Sequence, residues 1–203
     1  MSHLVPNVTT RTPSGERTVD LYSRLLADRI VYLATAIDGG VANTLIGQLL
    51  HLESEDPSKP VDLYISSPGG PIAPSLGIYD AMQYVAPAVR TTCVGEAGST
   101  AALLLAAGHP GQRRILPHAR VLLHQPAAQG QRGAIPDLIV EADELARVRR
   151  QQEEILARHT GRSPEQVRDD TDRDLVLAAE AARDYGLVDA VLEPRNGATT
   201  SSM

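Results

Sequence analysis

Apolar positions recur with two alternating periods along this chain. Short apolar runs, RIVYLAT, VDLYISS, VRTTCVG, ARVLLHQP and LVDAVLE, read as buried strands. Between them, apolar residues return every three or four positions, as on a helix that lays one face on a core. This pattern covers DLYSRLLADR, VANTLIGQLLHLESED up to Pro57, and SLGIYDAMQYV; STAALLLAAG is apolar all round and predicts a buried helix. PDLIVEADELARVRRQQEEILARHTG predicts one long charged helix, with Leu138, Ala142, Leu145, Val148 and Ile155 at helical spacing and Gly161 at the C-cap. SPEQVRDDT and DLVLAAEAARDYG predict two further helices. Strand and helix in alternation predict an α/β fold with crossover units.

The ends depart from this pattern. Residues 1–19 carry several turn formers and little periodicity and predict an N-terminal arm, while RNGATTSSM predicts a disordered tail over 194–203. Residues 20–193 are expected to form one domain without internal repeats.

Composition narrows the classes. The single cysteine, Cys93, lies in TTCVG, so an internal disulfide is excluded and buried strand filler is expected. No stretch resembles a signal peptide and AALLLAA is too short to cross a bilayer, so no membrane association and a cytoplasmic location are expected. A net charge of −6 leaves no basic face for nucleic acid. Arg147, Arg149 and Arg150 alternate with acids, which predicts a solvated or ion-paired helix surface.

Candidate chemistry gathers at element ends. In GEAGSTAALLLAAG, Ser99 stands at the start of the buried helix. Serine there is a favoured N-cap, its hydroxyl accepting from an unpaired backbone N–H. The same unpaired N–H groups favour the oxyanion of acyl transfer, so a nucleophile is the second reading. His124 closes the apolar strand VLL before a QP turn, and Gly69 and Gly70 of SPGG follow another strand end, where backbone N–H groups are available to a developing negative charge. Each also has a plain reading, a core histidine and an ordinary turn. The run DDTDRD reads as solvated surface. The six histidines show no metal-ligand spacing, and neither a phosphate loop nor a GxSxG elbow is present, which disfavours an α/β-hydrolase.

Taken together, these segments resemble the proteolytic subunits of the ATP-dependent Clp protease. The likeness runs from LVPNV to LVDAVL and is carried by SGERTVDLYSRLLADRIVYL, LYISSPGG, IYDAMQYV, TTCVGEAGS, LPHARVLLHQP, ILARHTG, RDDTDRD and AEAARDYGLVD. It implies a crotonase-like α/β fold and a serine endopeptidase with a triad on Ser99, His124 and Asp174, and with the N–H groups of Gly70 and Thr100 as the oxyanion hole. It implies no metal and no cofactor, ATP being used by the partner rather than by this chain. It also implies two stacked seven-membered rings enclosing a chamber that admits unfolded polypeptides, a handle over about residues 126–161 joining the rings, and axial pore loops at LVPNV. A crotonase-type acyl-coenzyme A hydratase or isomerase would need acids where Ser99 and His124 stand.

The chain departs from the family pattern at several places. Thr100 and Ala101 stand where Met and Gly are common, Pro71 stands where Ser is usual after SPGG, and one extra residue falls in AAQGQRGA. Family members dock an AAA+ unfoldase through apolar rim pockets. At the matching positions Leu50, Tyr64, Tyr84 and Leu192 keep an apolar or aromatic character, whereas Asp62, Thr92 and Arg114 do not, so weak docking is expected unless Asp62 and Arg114 pair. Arg173, beside Asp174, is expected to pair across rings. A weakly active or non-catalytic ring subunit working beside a sister subunit is the alternative.

Overall fold

The computed structural model describes residues 5–12, 15–126 and 134–193. The expected arm contains an antiparallel hairpin, β1 (Asn7–Thr12) and β2 (Gly15–Asp20), braced by a 2.9 Å hydrogen bond between the Thr9 and Thr18 hydroxyls. Its strands have no apolar face, so the period-two signal is missing from the sequence. Asp20 then caps α1 (Leu21–Ala27), its carboxylate accepting the Ser23 N–H at 2.9 Å.

The body follows the predicted alternation: β3 (Ile30–Leu33), α2 (Gly39–Glu55), β4 (Val61–Ser67), α3 (Ile72–Tyr84), β5 (Val89–Gly98) and α4 (Thr100–Ala106). Next come β6 (Arg113–Ile115), β7 (Arg120–Leu123), α5 (Ile135–Thr160), α6 (Pro164–Asp170), β8 (Leu175–Ala178), α7 (Ala179–Tyr185) and β9 (Ala190–Val191). The sheet runs β3-β4-β5-β6-β9 with every neighbouring pair parallel. The C-terminal part of β5 turns to pair in parallel with β7, and β8 closes that side antiparallel to β7.

All seven residues of α4 are buried, in keeping with a helix that is apolar all round. Leu103, Leu104 and Leu105 meet Val61, Leu63 and Ile65 of β4, and Ile155 and Leu156 of α5, in one continuous core. Cys93 is buried in β5, and burial pushes its thiol pKa up to about 12, so it stays protonated packing material. No helix among the described residues is long and apolar enough to cross a membrane.

Two expectations need correction, and one strand was not expected. DLVLAAEAARDYG is not one helix. Leu175–Ala178 form β8, with Leu175 and Leu177 packed on the core and Val176 58% exposed, and the helix starts only at Ala179. Four residues of alternation ahead of an alanine-rich helix are hidden by its period. The strand β6 lies in RRI, unannounced because two of its three residues are arginines. The last strand is two residues long, not the whole of LVDAVLE.

The stripe on α5 is buried only at its C-terminal end, at Val148 and Ile155, while Ile135, Ile139 and Val140 are 57–75% exposed. The first turns of this helix therefore stand clear of the core. Most of AAQGQRGA and the tail 194–203 lie outside the described residues.

Candidate active site

Strand β4 runs into SPGG where β5 runs into AGS, and the two ends meet backbone to backbone. A side chain on Gly69 would put its Cβ 2.5 Å from the Gly98 carbonyl oxygen, and one on Gly70 would put it 2.0 Å from that of Ile37. Gly69 also has φ +87, a conformation closed to most residues. The glycines are required by this approach, beyond the needs of a turn.

Ser99 has φ 51 and ψ −120, and its side chain makes no capping hydrogen bond. The N-cap reading of this serine therefore fails. Its backbone is held from both sides: the Ser99 N–H donates to the Leu122 carbonyl at 2.7 Å, and its carbonyl accepts the Ala102 N–H at 3.1 Å. Among the described residues only one other non-glycine, Arg29, has positive φ. Arg29 has a structural reason, since its guanidinium donates to the carbonyls of Leu52, Asp56, Lys59 and Pro60. Ser99 has no such employment, and its strained turn presents the hydroxyl to a small cavity shared with Leu103, His124, Leu156 and Val167. The elbow exists without the GxSxG sequence.

His124 follows β7 and is half-buried. Its Nδ1 lies 2.8 Å from the Gln125 carbonyl oxygen. A carbonyl only accepts, so Nδ1 carries the hydrogen, and the neutral ring keeps its lone pair on Nε2, the form a general base needs. Gln125 is itself clipped to the chain ahead of β8, its N–H donating to Thr171 at 3.0 Å and its Nε2 to Asp172 at 3.1 Å. Sequence reasoning passed over Gln125, whose role lies in its main chain and has no side-chain signature.

Asp174 is exposed and lines a second hollow with His124, Gln125, Asp172 and Arg173. The register Leu123↔Leu175 explains the proximity, because one step further along an antiparallel pair sets Asp174 opposite His124. Among the described residues no hydrogen bond joins Ser99, His124 and Asp174 to one another. Arg173 is 94% exposed with Asp172 3.8 Å away, so it does not hold Asp174 within the protomer.

Of the two expected oxyanion donors, the Thr100 N–H opens α4, whose first N–H groups have no intrahelical acceptor. The Gly70 N–H is engaged, donating to Thr100 Oγ1 at 3.0 Å.

The floor of the cavity holds a group that the sequence did not announce. Glu153 is 4% exposed and accepts from Arg149 at 2.9 Å and from Arg168 at 2.7 Å, joining α5 to α6. Burial alone would raise its pKa, but the hydrogen bonds from Arg168 and Arg149 outweigh that and hold it below the usual carboxylate range. The Arg149–Glu153 spacing was visible as i,i+4; the Arg168 contact was not.

On the sheet face away from α4, Tyr32, Tyr64, Thr92 and Arg114 form one row across four strands, and Asp62 and Arg90 fall in the next. Asp62 pairs with Arg90, not with Arg114. Arg114 makes no hydrogen bond or ion pair among the described residues, and Leu50 and Tyr84 are 45% and 79% exposed. No group of three or more His, Cys, Asp or Glu is placed to hold a metal among the described residues.

A family model described as Clp protease matches residues 13–195. The chain is 60% identical over 195 residues to ATP-dependent Clp protease proteolytic subunit 1 of Nocardia farcinica, covering 96% of this chain and 98% of that one. It is 52% identical over 194 residues to proteolytic subunit 2 of Streptomyces avermitilis, covering 96% and 97%. It is also 52% identical over 201 residues to a putative proteolytic subunit-like protein of Streptomyces coelicolor, covering 98% and 95%.

Proposed function

The chain belongs to the Clp protease family, and from that premise we propose that Ser99, His124 and Asp174 divide the work of its serine peptidase chemistry. As a Clp protease proteolytic subunit it hydrolyses peptide bonds in an oligomer that works with Clp ATPases. Ser99 Oγ attacks the peptide carbonyl carbon while its proton passes to His124 Nε2, and the carbonyl electron pair moves onto oxygen. That oxyanion lies against the N–H groups of Thr100 and Gly70. Collapse breaks the C–N bond, and His124 returns the proton to the departing amine. Water then repeats the sequence on the acyl serine. The Gln125 carbonyl fixes the imidazole tautomer and Asp174, opposite in register, offsets the charge of the imidazolium.

The observation that carries this assignment is the strained, uncapped turn at Ser99 beside a histidine in the Nδ1–H form. Ser99→Ala removes one hydroxyl from an otherwise unchanged assembly. It should abolish cleavage of short fluorogenic peptides while leaving the oligomer's elution volume unchanged; cleavage at the wild-type rate would remove Ser99 from the role.

We further infer stacked seven-membered rings, supported by the exposed apolar residues Ile135, Ile139 and Val140 on the free part of α5 and by the exposed Arg173, available to an acid across the junction. Docking of an AAA+ unfoldase on this subunit's own rim is weak in this reading. An apolar loop there meets Arg114, which has no partner among the described residues, and the Asp62–Arg90 pair, and burying a charge without a partner opposes binding. A sister proteolytic subunit, docking on behalf of a mixed complex, would restore degradation of folded proteins.

A further inference from the structure

Thr100 is 2% exposed, and its hydroxyl touches both sides of one glycine. Oγ1 accepts the Gly70 N–H at 3.0 Å and donates toward the Gly70 carbonyl oxygen at 3.2 Å. It also lies 2.9 Å from the hydroxyl of Ser75, which is fully buried and stands 2.9 Å from the Pro71 carbonyl. A backbone N–H has one hydrogen. While the Thr100 hydroxyl holds it, a substrate oxygen cannot take it in full.

We propose that the Thr100 hydroxyl is an internal occupant of the oxyanion hole, holding the Gly70 N–H in the resting subunit and yielding it to the tetrahedral intermediate by rotation of the Thr100 side chain. The proposal rests on the assignment of Ser99 and Gly70 to acyl transfer. Its physical basis is a competition between acceptors. A neutral hydroxyl gains modestly from one N–H, whereas an oxyanion gains about twice as much from the same donor. The exchange is therefore favourable only once charge develops. The rotation uses the second of the two side-chain rotamers between which threonine divides in a helix. A residue with no hydroxyl would leave the N–H waiting. Thr100 thus acts as a positioning residue that sets how much of the hole is available, and part of each turnover is spent displacing it.

The test compares Thr100→Val, which keeps the shape and loses the hydroxyl, with Thr100→Ser, which keeps the hydroxyl, both in the assembled oligomer. Two readouts separate a waiting donor from general disturbance: kcat and KM on a short fluorogenic peptide, and the inhibition constant of a peptide boronate, whose boron-bound oxygen takes the place of the oxyanion. Thr100→Val should raise kcat about two- to tenfold, the worth of one neutral hydrogen bond. KM should stay within about twofold and the boronate should bind tighter by the same factor as the gain in kcat, while Thr100→Ser should match wild type. Unchanged or lower kcat and unchanged boronate binding in Thr100→Val would overturn the proposal, since the hydroxyl would then support Gly70 without competing. If Thr100→Val fails to assemble, Thr100→Ala reads the same quantity. Cleavage that persists in Ser99→Ala would instead fault the nucleophile assignment.

Discussion

The amide of Ser99 donates to the carbonyl of Leu122 at 2.7 Å, and that bond sets the nucleophile against the strand that ends at Leu123, one residue before His124. It continues the β5–β7 ladder, in which Gly98 faces Leu122, by one residue past the end of β5. Serine and imidazole are therefore placed on adjacent strand ends by the pairing of β5 with β7. Hydrogen bonds between catalytic side chains commonly tighten when substrate arrives.

The turn at Ser99 is held at φ 51 and ψ −120, a conformation that costs a non-glycine residue about 1–3 kcal/mol. Ser99→Gly should relieve it and raise stability by about 1 kcal/mol after the extra chain entropy of glycine is counted. Ser99→Ala should leave stability nearly unchanged. Thermal midpoints of the two inactive variants, measured side by side, check this; equal midpoints would mean that the turn carries no strain.

The Gln125 carbonyl, and no carboxylate, receives the His124 Nδ1 hydrogen. Asp174→Asn should thus leave the tautomer in place and retain at least about tenfold more peptidase activity than His124→Ala, which loses the base itself. Equal residual rates would show that Asp174 alone orients the ring.

Removal of Glu153 would strand two guanidinium groups. Glu153→Ala should cost about 2–3 kcal/mol of stability in urea titrations, the low end for breaking a buried pair because Arg149 and Arg168 are 30% and 48% exposed. A change below about 0.5 kcal/mol would reduce this cluster to a surface contact.

His159 is half-buried, with its Nε2 3.1 Å from the Tyr79 hydroxyl. Burial first, then the charges of Arg113 and Arg158, push its pKa below the ordinary imidazole value. The unfolded chain therefore binds the proton more readily, so this contribution to stability is complete above about pH 6.5 and is lost as pH falls below that toward the folded pKa. The thermal midpoint should drop between about pH 7 and pH 5, with a shallower slope in His159→Gln. Equal slopes would assign the loss to other groups.

Much of the fold was legible because most helices and strands of the body carry their own period, from VDLYISS in β4 to the uniformly apolar α4. Ser99, His124 and Asp174 were named through the family resemblance, with element ends as independent support for the first two. What stayed hidden depends on contacts between distant segments. The positive φ of Ser99 follows from how β4 and β5 end against each other, and the Thr100–Gly70 bond joins residues thirty apart. β8 is four residues that pair only because β7 offers a free edge, and without β8 the sequence gives no reason for Asp174 to face His124.

The central claim is that Ser99 is the nucleophile and His124 its base. It is tested most directly by treating the assembled protein with a fluorophosphonate probe and mapping the adduct by mass spectrometry. A single phosphonylated residue, Ser99, is predicted, with labelling lost in Ser99→Ala and slowed at least about a hundredfold in His124→Ala, the contribution of general base catalysis. An adduct on another residue, or labelling of Ser99 at the same rate without His124, would contradict it.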